Sequence, residues 1–213
     1  MRETAVLQRF KQGYTTGARS LASRSIVGLT RTRITPNALT ASGVTLCLVS
    51  AVLVFFEDRN TWLFYWAGAI VFVVGSILDI LDGALARAGG KTTPFGAFLD
   101  STTDRVGEAA MLGSIGLVFA RYGHTIALAL AFAAVAGSIL VSYARAKAEG
   151  LGLRGDVGLG SRAERVVVIT GGLVLAPISI WLLVGAIALL AATAWLTVLQ
   201  RILFVRKQLG ERT

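Results

Sequence analysis

Residues 79–104 read DILDGALARAGGKTTPFGAFLDSTTD, and they place four aspartates where two long apolar runs meet. Asp79 and Asp82 are three residues apart, and Asp100 and Asp104 are four apart, so each pair shares one face of a helix. Only a short glycine-containing connection separates the pairs, so a helical hairpin would bring all four carboxylates together. The stretch therefore predicts two membrane-embedded helices that meet at an acidic cluster.

An acidic cluster in apolar surroundings needs a compensating cation. One aspartate at membrane depth costs roughly 2.5–3.5 kcal/mol on insertion scales, and a divalent ion would neutralise several at once. Carboxylate oxygens suit Mg²⁺, Mn²⁺ or Ca²⁺ rather than soft metals, and Cys47 and His124 are the only cysteine and histidine. We therefore predict a divalent metal site. Four solvated acids at helix ends, each paired with an arginine, are the alternative.

The composition is that of an integral membrane protein. Of the 213 residues, 54% are hydrophobic and 15% are charged, against about 25% charged in an average soluble protein. A single cysteine excludes a disulfide framework. The formal net charge of +9 favours contact with membrane lipid or phosphorylated substrates. Nucleic acid is disfavoured as a partner, because the basic residues lie between apolar spans.

Six apolar runs predict an all-α integral membrane protein with six transmembrane helices and an N-terminal amphipathic interfacial helix. Residues 1–34 form the juxtamembrane amphipathic segment, with a flexible basic tail as the alternative, and residues 35–213 form the six-helix domain. Thr35 and Pro36 provide the cap and the first position of the first helix. The helices are predicted at about 38–57, 61–86, 95–120, 124–147, from near Ala163 to before Pro177, and 179–204.

Basic residues concentrate at both chain ends and in alternate connections between the predicted helices. Under the positive-inside rule, both termini and the aspartate cluster are expected on the cytoplasmic side of the cell membrane, in a multi-pass protein. Small residues are expected to pack the helices closely, namely Gly43, Gly68, Gly75, Gly113 and Gly137.

Three arginines lie near the predicted cytoplasmic ends of three different helices, at positions 145, 165 and 201. Three guanidinium groups in one pocket are more than an uncharged alcohol needs, and they suit a phosphate on the substrate. From the pattern alone, ordinary positive-inside charges explain them equally well.

The aspartate stretch resembles the signature D-x-x-D-G-x-x-A-R-(x)8-G-x-x-x-D-x-x-x-D of the CDP-alcohol phosphotransferase family, with no departure from it. The resemblance implies a phospholipid-synthesising transferase that uses CDP-diacylglycerol, requires Mg²⁺ or Mn²⁺, releases CMP and forms a homodimer. It implies a metal held by Asp79, Asp82, Asp100 and Asp104. Asp104 would also be the catalytic general base, with a pure ligand role as the alternative. It implies that CDP-diacylglycerol is contacted by Asp79, Asp82, Gly83, Ala86, Arg87, Gly96 and Asp100.

Residues 142–165 and the Gln200-Arg201 pair resemble the actinobacterial phosphatidylinositol phosphate synthases within that family. This resemblance implies 1L-myo-inositol 1-phosphate as the acceptor, bound by Ser142, Arg145, Arg165 and Arg201. The position of Arg145 is often lysine in those enzymes, and Lys147 stands where arginine is common. The sequence therefore leaves open which of the two contacts the acceptor phosphate.

Two other functions stay open at this point. A phosphatidylglycerophosphate synthase would use the same chemistry with glycerol 3-phosphate, which is also a phosphorylated acceptor. A transporter or channel would use the intramembrane acids to bind a cation in transit. Against that function, Asp100 and Asp104 lie at the start of their helix rather than at the membrane midplane.

Overall fold

The structure, a computed structural model, describes residues 35–90, 92–158 and 161–211 of the chain. In these ranges the chain forms six α-helices and no strand: α1 (Pro36–Phe55), α2 (Thr61–Ala88), α3 (Pro94–Arg121), α4 (Thr125–Gly150), α5 (Arg162–Leu175) and α6 (Ile180–Gly210). The predicted all-α fold is confirmed. The predicted amphipathic helix within residues 1–34 lies outside the described residues.

Four of the helices, α1, α2, α4 and α6, are long and apolar enough to cross a membrane. The chain is therefore a multi-pass membrane protein. Helix α3 has 28 residues, but three charged side chains in its first half, followed by Glu108, make it more polar. Helix α5 has 14 residues, and its length of about 21 Å is less than the ~30 Å of bilayer hydrocarbon. That α3 and α5 also span the membrane stays a prediction.

The helix ends follow local sequence signals. Thr35 accepts a hydrogen bond from the backbone N–H of Ala38 at 3.3 Å, and Pro36 takes the first helical position, as predicted. Side-chain caps begin four further helices, at Asn60, Thr93, Ser161 and Ser179. Helix α5 ends at Leu175, just before Pro177, because proline cannot donate a helical hydrogen bond.

Helices α1 and α2 approach closely at two glycines. A Cβ on Gly75 would lie 2.9 Å from the carbonyl oxygen of Gly43, closer than real side chains come. Gly68 and Gly137 also meet neighbouring helices at short distance, so four of the five predicted packing glycines are confirmed. A Cβ on Gly113 would meet nothing within 4 Å among the described residues, so packing at this glycine stays a prediction.

The apolar core surrounds α3, which is the central helix. It is built from side chains that are at most 2% exposed, among them Tyr65, Phe72, Met111, Leu112, Ile115, Phe119, Ile169, Leu173, Leu183 and Ile187. Burial on this scale fixes the rotation of α3, and with it the direction in which its acidic first half projects.

A buried acid closes the end of the bundle that is farthest from the aspartate stretch. Glu57, which lies in the α1–α2 turn and is 1% exposed, accepts hydrogen bonds from Arg121 Nη1 and from the Tyr122 hydroxyl, both at 3.1 Å. Arg121 also pairs with Asp58 at 3.0 Å. This network ties the α1–α2 turn to the end of α3.

Candidate active site

Three aspartates converge where α2 ends and α3 begins. Asp79 and Asp82 are buried on one face of α2, and Asp100 lies in the first half of α3. Carboxylate oxygens from all three lie within 4.8 Å of one another. Carboxylates this close repel one another unless a cation lies among them, so the three could hold a metal ion, and we call this candidate site the metal-binding arrangement.

The surroundings of Asp82 fit a divalent ion of the Mg²⁺ and Mn²⁺ class. Thr40 of α1 donates a hydrogen bond to Asp82 Oδ2. Among the described residues, the other oxygen, Oδ1, is buried without a hydrogen-bond partner. An unsatisfied buried acceptor is costly, and coordination to a hard cation would satisfy it.

The fourth predicted ligand, Asp104, lies one turn further along α3 and does not join the group of three. Instead, Arg162 of α5 reaches between two acids: its Nη1 lies 2.8 Å from Asp104 Oδ1 and also donates to Asp79 Oδ2. An arginine side chain stays protonated in proteins. Arg162 therefore supplies a fixed positive charge beside the metal-binding arrangement.

A pocket of about 120 Å³, the aspartate pocket, opens beside Asp82 and Asp100 between α1, α2 and the start of α3. Its lining includes six of the seven residues that the resemblance assigned to the CDP-lipid, namely Asp82, Gly83, Ala86, Arg87, Gly96 and Asp100. A Cβ on Gly83 would lie 3.3 Å from Arg87 Nη1, so the guanidinium lies against the glycine. Asp79 does not line this pocket and instead borders the space around Arg162.

The aspartate pocket has further lining residues that the sequence did not indicate, namely Asn37, Thr40, Thr92 and Thr93. Thr93 caps α3 by accepting a hydrogen bond from the N–H of Gly96 at 2.9 Å. A Cβ on Gly96 would lie 3.0 Å from the Thr93 hydroxyl, so glycine suits this cap. The cap thus shapes the pocket as well as starting the helix.

A second cavity, the arginine cavity, has a volume of about 310 Å³ and is lined by residues of α3, α4, α5, α6 and the α4–α5 connection. All four predicted acceptor-binding residues line it, namely Ser142, Arg145, Arg165 and Arg201. Its charged lining comprises five arginines (Arg105, Arg145, Arg162, Arg165 and Arg201) and three acids (Asp104, Glu108 and Asp156). The excess of positive charge suits a phosphate group, and Asp104 lies in the same cavity wall.

Two of these arginines are held in place by buried contacts. Arg165 Nε and Nη2 lie 2.8 Å and 2.9 Å from the two oxygens of Glu108. Arg201 Nε donates to the carbonyl oxygen of Val157 at 2.9 Å, and its Nη1 donates to the carbonyl oxygen of Val141. Both guanidinium groups are therefore fixed before any ligand arrives.

The α4–α5 connection forms one wall of the arginine cavity. The backbone of Arg154 exchanges two hydrogen bonds with the Gln208 side chain, at 3.0 Å and 2.8 Å. Gly158 has a φ of +117°, and a Cβ there would lie 2.4 Å from Thr197 Cγ2, so the close approach to α6 requires glycine. A hydrogen bond from Arg154 lowers the pKa of Asp156, which keeps this wall residue ionised.

Arg145 and Lys147 lie on different surfaces of α4. Arg145 lines the arginine cavity and pairs with Glu149 at 2.8 Å. Lys147 lines a separate apolar groove of about 470 Å³ between the C-terminal halves of α4 and α6. Residues two apart on a helix do not face the same way, so the geometry favours Arg145 for a phosphate in the arginine cavity.

Four ionisable residues of the arginine cavity had no assigned role in the sequence, namely Arg105, Glu108, Asp156 and Arg162, and two of them extend a helix face that already had one. Glu108 continues the four-residue spacing of Asp100 and Asp104, and Arg162 lies three residues before Arg165 on the same face of α5. These spacings were a visible signal, because each residue extends a helix face that already carried a predicted site residue.

Comparison with known proteins agrees with this architecture. The family model described as CDP-alcohol phosphatidyltransferase matches residues 33–205. The archaetidylinositol phosphate synthase of Pyrococcus horikoshii is 36% identical over 180 residues, which cover 83% of this chain and 86% of the relative. The phosphatidylinositol phosphate synthase of Cutibacterium acnes is 33% identical over 212 residues, covering 95% of this chain and 98% of the relative.

Solved structures of a similar protein show the same fold. The crystal structure of Mycobacterium tuberculosis phosphatidylinositol phosphate synthase with CDP-DAG bound matches with a TM-score of 0.76 and 29% identity, covering 87% of this chain and 94% of the other. The same enzyme in complex with manganese and citrate matches with a TM-score of 0.76 and 30% identity, covering 86% and 88%. A bound divalent metal in this neighbour agrees with the metal-binding arrangement seen here.

Proposed function

The chain belongs to the CDP-alcohol phosphatidyltransferase family, and we propose that it transfers the phosphatidyl group of CDP-diacylglycerol to 1L-myo-inositol 1-phosphate. The products are phosphatidylinositol phosphate and CMP. Membership of this family replaces the ion-pathway alternative with a metal-dependent transferase of phospholipid synthesis.

The arginine cavity is the observation that supports a phosphorylated acceptor. Its five arginines outnumber its three acids, and an uncharged alcohol would leave that positive charge uncompensated. Asp104 borders the same cavity, so an acceptor hydroxyl would bind beside a carboxylate able to take its proton. The two named relatives and the solved neighbour are an archaetidylinositol phosphate synthase and two phosphatidylinositol phosphate synthases, which favours inositol phosphate over glycerol 3-phosphate as the acceptor.

The proposed reaction is a displacement at the phosphatidyl phosphorus. The acceptor hydroxyl oxygen forms a bond to that phosphorus, and its proton passes to Asp104. The bond from the phosphorus to the bridging pyrophosphate oxygen breaks, and CMP leaves with the electron pair. Ser142, Arg145, Arg165 and Arg201 hold the acceptor phosphate, so they orient the hydroxyl without contacting the bond that breaks.

Magnesium is the proposed physiological ion, with Mn²⁺ as a substitute, held by Asp79, Asp82 and Asp100 with Asp104 beside them. When bound, the ion neutralises charge on the pyrophosphate and on the leaving phosphate. Gly83, Ala86, Arg87 and Gly96 form the contact surface for the CDP portion, with the aspartates around it, and Arg87 supplies a cation for the pyrophosphate.

The orientation and assembly also remain proposals. The basic ends of α4 and α6 and the basic first turn of α5 support a cytoplasmic active site with both termini on that side. Residues 35–213 are proposed as one catalytic domain, with residues 1–34 as a juxtamembrane segment. A homodimer is proposed by analogy with the family.

An acceptor competition assay tests the proposed reaction. Purified protein in detergent should release CMP from CDP-diacylglycerol only with Mg²⁺ or Mn²⁺ and inositol 1-phosphate. Offered equal concentrations of the two acceptors, it should form mainly the inositol product, identified by mass spectrometry. Activity with free inositol, or preferred use of glycerol 3-phosphate, would contradict the acceptor assignment.

The placement of two neighbouring cations on α4 gives a second prediction. Arg145→Ala should raise the KM for inositol 1-phosphate by about 10-fold or more, because a charge-assisted bond to phosphate is lost. Lys147→Ala is the matched control, since Lys147 lines the apolar groove instead of the arginine cavity. Its acceptor KM should stay near the wild-type value. Equal increases in both variants would show that the two residues contribute alike.

A further inference from the structure

Glu108 is an acid in a cavity otherwise suited to an anion. It lies on α3, four residues beyond Asp104, and lines the arginine cavity. A lone carboxylate there would repel a bound phosphate and weaken binding. Its two oxygens instead engage Arg165 at 2.8 Å and 2.9 Å, so the structure ties its charge to one particular arginine.

The pair is largely shielded from solvent and has the geometry of a two-point contact. The side chains of Arg165 and Glu108 are 10% and 13% exposed. Two parallel N–H to oxygen contacts fix the plane of the guanidinium as well as its position. Buried ion pairs contribute little net stability, because desolvation offsets attraction, so fold stability alone is a weak explanation for this one.

Both partners are anchored to rigid parts of the fold. Helix α3 is the central helix, and Ser161 and Glu164 form a reciprocal cap that fixes the first turn of α5. Among the described residues, α3 and α5 have no direct backbone packing. The Arg165–Glu108 pair and the Arg162–Asp104 pair, one turn apart, therefore join these helices across the cavity.

We propose that Glu108 is a positioning residue for acceptor binding, which holds the Arg165 guanidinium in the orientation that receives the acceptor phosphate. Glu108 acts through Arg165 and does not contact the acceptor itself. This inference rests on the proposed acceptor, inositol 1-phosphate. It makes Glu108 a determinant of acceptor affinity, even though its charge alone opposes anion binding.

The direction in which the acceptor KM changes distinguishes this positioning role from competition between Glu108 and the acceptor phosphate for Arg165. If Glu108 positions Arg165, Glu108→Gln should raise the KM for inositol 1-phosphate by about 10-fold, with kcat and the KM for CDP-diacylglycerol changed by less than about 3-fold. If Glu108 competes with the phosphate for Arg165, the same variant should lower the acceptor KM. A lower or unchanged acceptor KM would overturn the proposal.

A double-mutant cycle tests whether Glu108 acts through Arg165. In an Arg165→Ala background, Glu108→Gln should change the acceptor KM by less than about 2-fold, because the positioned group is already absent. Full additivity of the two changes would overturn the proposal. Glu108→Asp, which keeps the charge on a shorter side chain, should recover part of the affinity.

Glu57→Gln is the matched control for loss of a buried glutamate. Glu57 pairs with Arg121 at the other end of the bundle, so this variant should lower the thermal unfolding temperature without changing the acceptor KM. Calorimetric titration with inositol 1-phosphate provides a readout besides turnover. If wild-type protein fails to bind it, the proposed function fails; if wild type and Glu108→Gln bind equally, only the role of Glu108 fails.

Discussion

Replacing Asp104 by asparagine is expected to lower kcat by about 10²–10⁴-fold, the contribution usual for a general base. Asparagine keeps the size of the side chain but cannot take the proton of the acceptor hydroxyl. Asp104 borders the arginine cavity and stands outside the group of three clustered aspartates. The structure thus places it between the arginine cavity and the metal-binding arrangement.

The measurement that isolates this effect is single-turnover CMP release at saturating substrates. Manganese affinity and CDP-diacylglycerol binding should change far less than kcat, because three other carboxylates remain. Asp58→Asn is the control, since Asp58 is a carboxylate at the opposite end of the bundle. A kcat for Asp104→Asn within about 10-fold of wild type would leave Asp104 as a ligand rather than a base.

Loss of Asp82 is expected to remove both metal binding and turnover. Asp82 is 2% exposed and one of three acids whose oxygens lie within 4.8 Å. Since changes in the outer shell of a metal site alone reduce affinity about 10–100-fold, Asp82→Asn should reduce Mn²⁺ affinity by at least about 100-fold. Titration of Mn²⁺ followed by electron paramagnetic resonance measures this without relying on activity.

A milder substitution tests whether the hydrogen bond from Thr40 orients the Asp82 carboxylate. Thr40→Val removes the hydroxyl that donates to Asp82 Oδ2, and it should weaken Mn²⁺ binding about 10–100-fold. Thr45→Val is the matched control on the same helix, because the Thr45 hydroxyl donates to the backbone of Ala41 instead. If Asp82→Asn bound Mn²⁺ like wild type, the cluster would not be the metal site.

The parts of the site that the sequence predicted well depend on spacing along one helix or across one short connection. The clustering of Asp79, Asp82 and Asp100 followed from helical spacing and a short hairpin, and the structure brings them together. The break before Pro177 and the cap at Thr35 were predictable for a similar reason, because each depends only on residues that are adjacent in the sequence.

The parts that the sequence could not predict depend on how distant helices are rotated against each other. Thr40 precedes Asp82 by 42 residues, and no spacing rule indicates that its hydroxyl faces that carboxylate. The choice between Arg145 and Lys147 depends on the rotation of α4 about its axis, which core packing determines. The partners of Arg162 could not be predicted, because they lie on two other helices.

The position of Arg162 also bears on how the protein is made. Asp79 is synthesised 83 residues before Arg162. Asp79 and Asp104 therefore enter or approach the bilayer without the positive charge of Arg162 until α5 has been synthesised. Docking of α5 then supplies their counter-charge from within the polypeptide. The protein therefore carries an internal counter-charge for Asp79 and Asp104 before any ion binds.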